Sequence, residues 1–318
     1  MTDLDIALKK RLQAAKNIMI VSHVRPDGDA IGSMLGLGLA LQATGKQVQM
    51  VLSDGVPVGF RHLPGSDQVL RSEKVTADTT IVVDCSDLKR VGKALGDHGK
   101  PDIVIDHHFT NGAFGELNLI ESEAPATASV LIRHMADWGL TITPMIAANL
   151  LTGLVTDTLG FRTMNTRPET LRQAADLMDL GADLTNLYFH GLVRRTLPAA
   201  RYWGAGLGNL QFVDGIVWTA LTLSDRKTSG YAGNDDADLI NVVSSIEEGL
   251  VSIIFVEQSN GSVKVSWRTQ DPNLDVSQVA MRFEGGGHKA AAGADIPGTL
   301  PEIIKLVLAE TGKIIKKE

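Results

Sequence analysis

The chain has 318 residues, 44% of them hydrophobic and 21% charged, which is enough apolar material for two domains with real cores. Its net charge of -7 argues against a broad sheath of phosphate contacts along a duplex, and only 5% aromatic residues argues against stacking platforms for long single strands. A single cysteine, Cys85, excludes a disulfide or a Cys-rich zinc site. A small phosphorylated substrate stays open, because bound metal ions can invert a local field.

The N-terminus "MTDLDIALKKRLQAAKN" reads as a charged helix, not as a signal peptide, and no apolar run is long enough to span a membrane. A soluble, cytoplasmic protein is expected. "NIMIVS" (17–22) reads as a strand, and "AIGSMLGLGLALQATG" (30–45) as a small-residue-rich helix stopped by Gly45. "QVQMVL" (47–52), "TTIVVD" (79–84) and "PDIVID" (101–106) are further short apolar runs of the kind that forms buried parallel strands. Helical patterns follow at 126–138, 144–158 and 168–181, giving an α/β domain with a parallel sheet.

The pattern changes near residue 185. "NLYFHGLVRRTLPAARYWG" (186–204) reads as a helical connector interrupted by Pro198. Strands are expected at 215–223, 250–258 and 262–269, the last two joined by "SNG", a hairpin signal. A helix at 275–285, the Gly-rich "GGGHKAAAG" (285–293) and a solvated tail, "KIIKKE", complete a smaller mixed α/β domain. The expected organisation is a first domain over 1–185, a connector over 186–204 and a second domain over 205–318.

Four segments share one grammar: an apolar strand, then metal-type ligands just beyond its end or on the next helix, with Asp157 inside an apolar helical pattern. They carry His23, Asp27 and Asp29; Asp84; Asp106, His107 and His108; and Asp157. In open parallel sheets, ligands bind beyond the carboxyl ends of the strands, so distant segments can converge on one crevice. Carboxylates and imidazoles without thiolates suit manganese, magnesium or iron better than structural zinc. Asp27 and Asp29, two residues apart on a turn held by Pro26 and Gly28, can serve neighbouring ions, and Asp84 can bridge them. Two ions about 3.5–4 Å apart can clamp the attacking and leaving oxygens of a phosphoryl transfer. Taken singly, Asp27 or Asp29 is more often a turn acid or helix cap. It is the joint occurrence that points to metal. His62, His98, His134 and His190 lack comparable partners in the sequence and read as structural or surface residues.

With these motifs in this order, "SHVRPDGDAIGS", "VVDCSD", "IDHH" and "TGLVTDTLGF", the sequence resembles the DHH phosphoesterase family. The resemblance extends to "VSWRT" and "GGGHKAAAG" of a DHH-associated C-terminal domain, and the length is similar to the nanoRNase/pAp phosphatase branch. It implies that His23 and Asp27 bind one metal, that Asp29, His107 and Asp157 bind the other, and that Asp84 bridges, with manganese the usual ion. It further implies that His108 faces the substrate phosphate, that Asp106 orients the histidines, and that Arg268, His288 and the loop of Gly285, Gly286 and Gly287 grip phosphate or the terminal nucleotide. Glu284 departs from the pattern, standing where the family often has glycine.

The expected activity is manganese-dependent hydrolysis of short oligoribonucleotides to mononucleotides, with 3′-phosphoadenosine 5′-phosphate (pAp) as a second substrate. Expected partners are short single-stranded RNA or DNA and small nucleotides, without duplex or membrane; homodimerisation is compatible with this reading. The alternatives are cleavage of linear or cyclic dinucleotides (pApA, c-di-AMP) and a nucleotide-binding regulatory protein without catalysis.

Overall fold

The computed structural model describes residues 2–316, which divide into two compact units, one ending at Arg194 and the other beginning at Arg195. In the first unit, α1 (Asp3–Ala14) precedes β1 (Asn17–Val21), α2 (Gly28–Gln42), β2 (Gln47–Val51), β3 (Thr79–Val83), β4 (Ile103–Asp106) and β5 (Leu117–Ile120). Then come α3 (Thr127–His134), α4 (Pro144–Asp157), α5 (Pro168–Asp179) and α6 (Leu184–Tyr188), the last running into a π-helical turn over Phe189–Val193. The five strands are all parallel, in the order β2-β1-β3-β4-β5.

The period of two along a strand explains how this sheet is buried. Ile18, Ile20, Ile81, Val83, Ile103 and Ile105 face one core together with α2, α3 and α4. Met19, Val21, Val82 and Val104 face a second, smaller core with Val91, Ala94 and Leu95. Both faces are covered, so the strands read as continuous apolar runs rather than alternating ones. On the larger face α2 and α4 touch backbone to backbone: a Cβ on Gly32 would lie 2.4 Å from the Asn149 carbonyl oxygen. This close approach sets the first turn of α2 beside the last turns of α4.

The second unit contains α7 (Leu197–Gly208), β6 (Gln211–Val213), β7 (Ile216–Leu221), α8 (Leu223–Ser229), α9 (Ile240–Val243), β8 (Val251–Glu257) and β9 (Ser262–Thr269). It ends with α10 (Ser277–Met281), β10 (Gly286–His288), β11 (Ala291–Pro297) and α11 (Leu300–Ile315). Its sheet has the order β10-β11-β9-β8-β7-β6 and is antiparallel except at β7–β8. On β9 buried and half-buried residues alternate, with Val263, Val265 and Trp267 turned to the core.

Several expectations are corrected. Pro198 does not interrupt a connector: it lies in the first turn of α7, where its missing N–H costs nothing, and the break falls at 194–196. Of the expected glycine loop, Gly286 and Gly287 lie in β10, which forms an antiparallel hairpin with β11. The expected tail is helical over Lys313–Ile315, the end of α11, while Lys317 and Glu318 lie outside the described residues. No helix among the described residues is long and apolar enough to cross a membrane.

Candidate active site

The carboxyl ends of β1, β3 and β4 and the C-terminus of α4 deliver the four motifs to one place. Beyond β1, the His23 Nδ1 lies 2.9 Å from the Val24 carbonyl oxygen. A carbonyl can only accept, so the Nδ1 carries the proton and the Nε2 is turned to carboxylates, 3.8 Å from Asp27 Oδ2 and 3.6 Å from Asp84 Oδ2. Asp27 caps α2 with its Oδ1, which accepts from the backbone N–H groups of Asp29 and Ala30 at 3.1 Å. Its Oδ2 is the oxygen on the His23 side, so the cap leaves one oxygen of the carboxylate available.

Asp29, in the first turn of α2, is 1% exposed. Its Oδ1 accepts from Ser33 Oγ (3.1 Å) and the Ala128 N–H (3.0 Å), and its Oδ2 from the Thr127 N–H (2.6 Å). The N-terminus of α3 thus supplies two backbone donors to a buried carboxylate. Gly153 makes room for it, since a Cβ there would sit 2.5 Å from Asp29 Oδ1.

Asp84 follows β3 with a left-handed backbone (φ 52°), unusual for a residue with a side chain. Its Oδ1 accepts from Thr127 Oγ1 at 3.0 Å and lies 3.7 Å from both His107 Nε2 and His108 Nδ1, whereas its Oδ2 faces His23. The two oxygens are therefore divided between two groups of imidazoles. Local strain at this residue is of the kind that functional sites store.

Asp106, the last residue of β4, is fully buried. Its Oδ1 accepts from the His107 N–H at 2.9 Å and lies 2.7 Å from His108 Nδ1; its Oδ2 accepts from Asn111 Nδ2 at 2.7 Å. Asn111 also donates to the Cys85 carbonyl. His107 Nδ1 is 3.1 Å from the Ala124 carbonyl oxygen, which turns its Nε2 to Asp157 Oδ2 at 3.3 Å.

The donor atoms of His23, Asp27 and Asp84 lie within 4.8 Å of one another, as do those of Asp29, Asp84 and His107. Asp84 belongs to both groups. Burial disfavours charge on His23, but Asp84 and Asp27 outweigh it and raise its pKa to about 8. Burial acts likewise on His107, and Asp157, Asp84 and Asp29 lift it to about 9. Burial and the surrounding carboxylates push Asp157 up to about 6, against the pull of His107, and raise Asp29 as well. Burial would raise Asp84 too, but its three neighbouring imidazoles hold it below the usual carboxylate range. Buried carboxylates crowded in this way call for positive charge, and the Nδ1–carbonyl hydrogen bonds of His23 and His107 leave each Nε2 directed at carboxylates. The oxygen and imidazole donor set fits divalent cations.

Arg268 and the Gly-rich motif belong to the second unit. Arg268 pairs across strands with Ala291, and Ala291 pairs with His288. Directly opposed residues share a face, so Arg268 and His288 lie in one row on one face, two strands apart. The glycines answer to strand pairing: a Cβ on Gly285 would lie 2.3 Å from the Gly293 carbonyl oxygen, and one on Gly287 2.4 Å from that of Ala291. A Cβ on Gly286 would meet open space. Glu284 is exposed with φ 57°, a left-handed conformation that glycine adopts without cost.

Two of the outlying histidines do have carboxylate partners. His98 Nε2 pairs with Glu73 at 2.9 Å, and His134 bridges Asp5 and Glu121, each at 2.7 Å. His62 and His190 face one another with ring centroids 4.3 Å apart. Sequence reasoning missed Thr127, Ser33, Asn111 and Gly153. Only "ATAS" carried a signal, as a helix start, and nothing in it names Asp29 or Asp84 as its partners.

Residues 17–155 match the model of the DHH family, N-terminal domain, and residues 227–315 that of the DHHA1 domain. A bifunctional oligoribonuclease and PAP phosphatase NrnA of Thermus thermophilus is 36% identical over 286 residues, covering 88% of this chain and 84% of that protein. The chain belongs to the DHH family. A relative of the same description from Mycoplasma genitalium is 28% identical over 88% of each chain. Among solved structures, an exopolyphosphatase-related protein from Bacteroides fragilis superposes with a TM-score of 0.88 at 26% identity, covering both chains completely. RecJ of Thermus thermophilus in complex with Mn2+ shares the fold at a TM-score of 0.54 and 16% identity, over 99% of this chain and 54% of that one. As a member of this family, the chain is a hydrolytic enzyme.

Proposed function

We propose that this DHH enzyme is a manganese-dependent phosphoesterase that hydrolyses short oligoribonucleotides to mononucleotides and also removes phosphate from pAp. The observation that carries this reading is the pair of ligand groups sharing Asp84. It is supported by relatives named as bifunctional oligoribonucleases and PAP phosphatases. His23, Asp27 and Asp84 would hold one ion, and Asp29, His107, Asp157 and Asp84 the other.

Bound divalent ions supply Lewis-acid polarisation of the phosphoryl group and make water a competent nucleophile at neutral pH. The chain's own residues do the rest. Asp106 receives the His108 Nδ1 hydrogen bond, which fixes the ring and leaves Nε2 as the atom that can hold a proton. As the water oxygen bonds to phosphorus and the ester bond breaks, His108 Nε2 stabilises the charge on the phosphoryl oxygens or protonates the departing oxygen. Asn111 occupies the other oxygen of Asp106 and so keeps this carboxylate directed at His108. In the second unit, Arg268 and His288 bind a phosphate of the nucleotide, a task for which one shared face of the sheet suits them.

The test is a product ladder from end-labelled RNA of two to seven nucleotides, run beside pAp and pApA, with the chain stripped of metal and reloaded with manganese, magnesium or calcium. The proposal expects mononucleotides from the short RNAs, phosphate from pAp, and manganese as the best activator. Tight nucleotide binding without turnover in any metal would turn the reading towards a regulatory protein.

A further inference from the structure

We infer that Arg90 is a substrate-binding residue of this site, its guanidinium taking the non-bridging oxygens of a nucleotide phosphate at the rim beside His23. The inference rests on the proposed reaction for the nucleotide and on the following geometry for the residue. Arg90 lies in the single 3-10 turn Leu88–Val91 that follows Asp84. The Val24 N–H donates to the Arg90 carbonyl oxygen at 2.7 Å, and a Cβ on Gly92 (φ 65°) would come within 2.6 Å of Val24 Cγ1. The turn is thus fastened to the residue next to His23.

The guanidinium is exposed and has little to hold it. Its side-chain hydrogen bond goes to Ser86 Oγ at 3.5 Å, the outer limit of such a contact, and no carboxylate pairs with it among the described residues. Arg11, Arg133, Arg167, Arg195 and Arg282 each have an acidic partner. The carboxylate nearest in sequence, Asp87, is spent on the Lys89 N–H at 2.7 Å. Beside a cluster of acids, an arginine without a carboxylate partner is unusual, because the acids here are already engaged by imidazoles and backbone N–H groups. Its planar fork of donors matches phosphate and is weakly hydrated, so it gains most from an anion brought to the site.

The experiment is calorimetric titration of the full chain, saturated with manganese, with AMP as the probe, for the unmodified protein, Arg90→Gln and Arg90→Lys. The expected result is AMP affinity at least 10-fold weaker in Arg90→Gln and partly recovered in Arg90→Lys. Manganese isotherms and melting temperatures should be the same in all three. Unchanged AMP affinity, a parallel loss of manganese binding, or failure of the unmodified chain to bind AMP would each overturn the assignment. The proposed reaction is judged separately by the RNA and pAp assays. If those fail while AMP binding depends on Arg90, the phosphate contact stands and the reaction falls.

Discussion

The two units present their chemistry in opposite ways. In the first, Asp29, Asp84 and Asp106 are almost wholly removed from water and are held by backbone N–H groups, Thr127, Asn111 and histidines. In the second, Arg268 and His288 stand half-buried in one row set by strand register. The first arrangement concentrates negative charge at the ends of parallel strands and needs cations. The second carries positive and hydrogen-bonding groups on a sheet face, which suit an anion. In the proposed reaction, this difference would separate the groups that make hydrolysis possible from those that choose what reacts.

The separation can be broken most severely at Asp84. Asp84→Ala removes the carboxylate common to both ligand groups, so manganese content and turnover should fall together, by more than the roughly 10²–10³-fold that one lost electrostatic donor costs. Metal analysis beside a rate assay checks it. A variant that keeps both ions would dissolve the distinction between the two groups. His108→Ala comes next: kcat should drop roughly 10²-fold while the metal content stays near that of the unmodified chain.

On the other side of the comparison, Arg268→Ala and His288→Ala should each cost about 2 kcal/mol, roughly 30-fold, in kcat/KM for a dinucleotide. A small chromogenic phosphodiester, which lacks the remote phosphate, should be hydrolysed nearly as before. Equal losses on the two substrates would place these residues in the chemistry and erase the division of labour. The smallest effect is expected at Thr127, which touches two carboxylates at once. Thr127→Val keeps the backbone N–H to Asp29 but loses the hydroxyl to Asp84. Manganese affinity should fall by about 10-fold, the lower end for a lost partner of a metal ligand, and Thr127→Ser should restore it.

How much of this was legible follows from range in the sequence. β1 to β4 could be read because both of their faces are buried and their apolar runs are nearly unbroken. β5 could not, since "LNLI" breaks its run with Asn118, whose side chain is spent on Gly115. α11 had a legible start, Thr299 with Glu302 three residues on and Pro301 in the first turn, yet only its last residues drew a reading, as a tail. The six metal-type ligands were visible as residue types after apolar segments. The hydrogen bond from Thr127 to Asp29 spans 98 residues, and its existence depends on how closely α3 and α4 approach α2. The glycines of the second unit were visible, but their reason was not. Gly285 and Gly287 are forced by close strand pairing, and Glu284 takes a left-handed turn at a strain cost of about 1 kcal/mol.

The central claim is that one carboxylate, Asp84, joins two divalent ions. Anomalous diffraction at the manganese edge from crystals of the full chain soaked in manganese tests it most directly. Two peaks, each within ligand distance of a different Asp84 oxygen, with His23 at one and His107 at the other, are the predicted result. A single peak, or two peaks that leave Asp84 bound to neither ion, would contradict it.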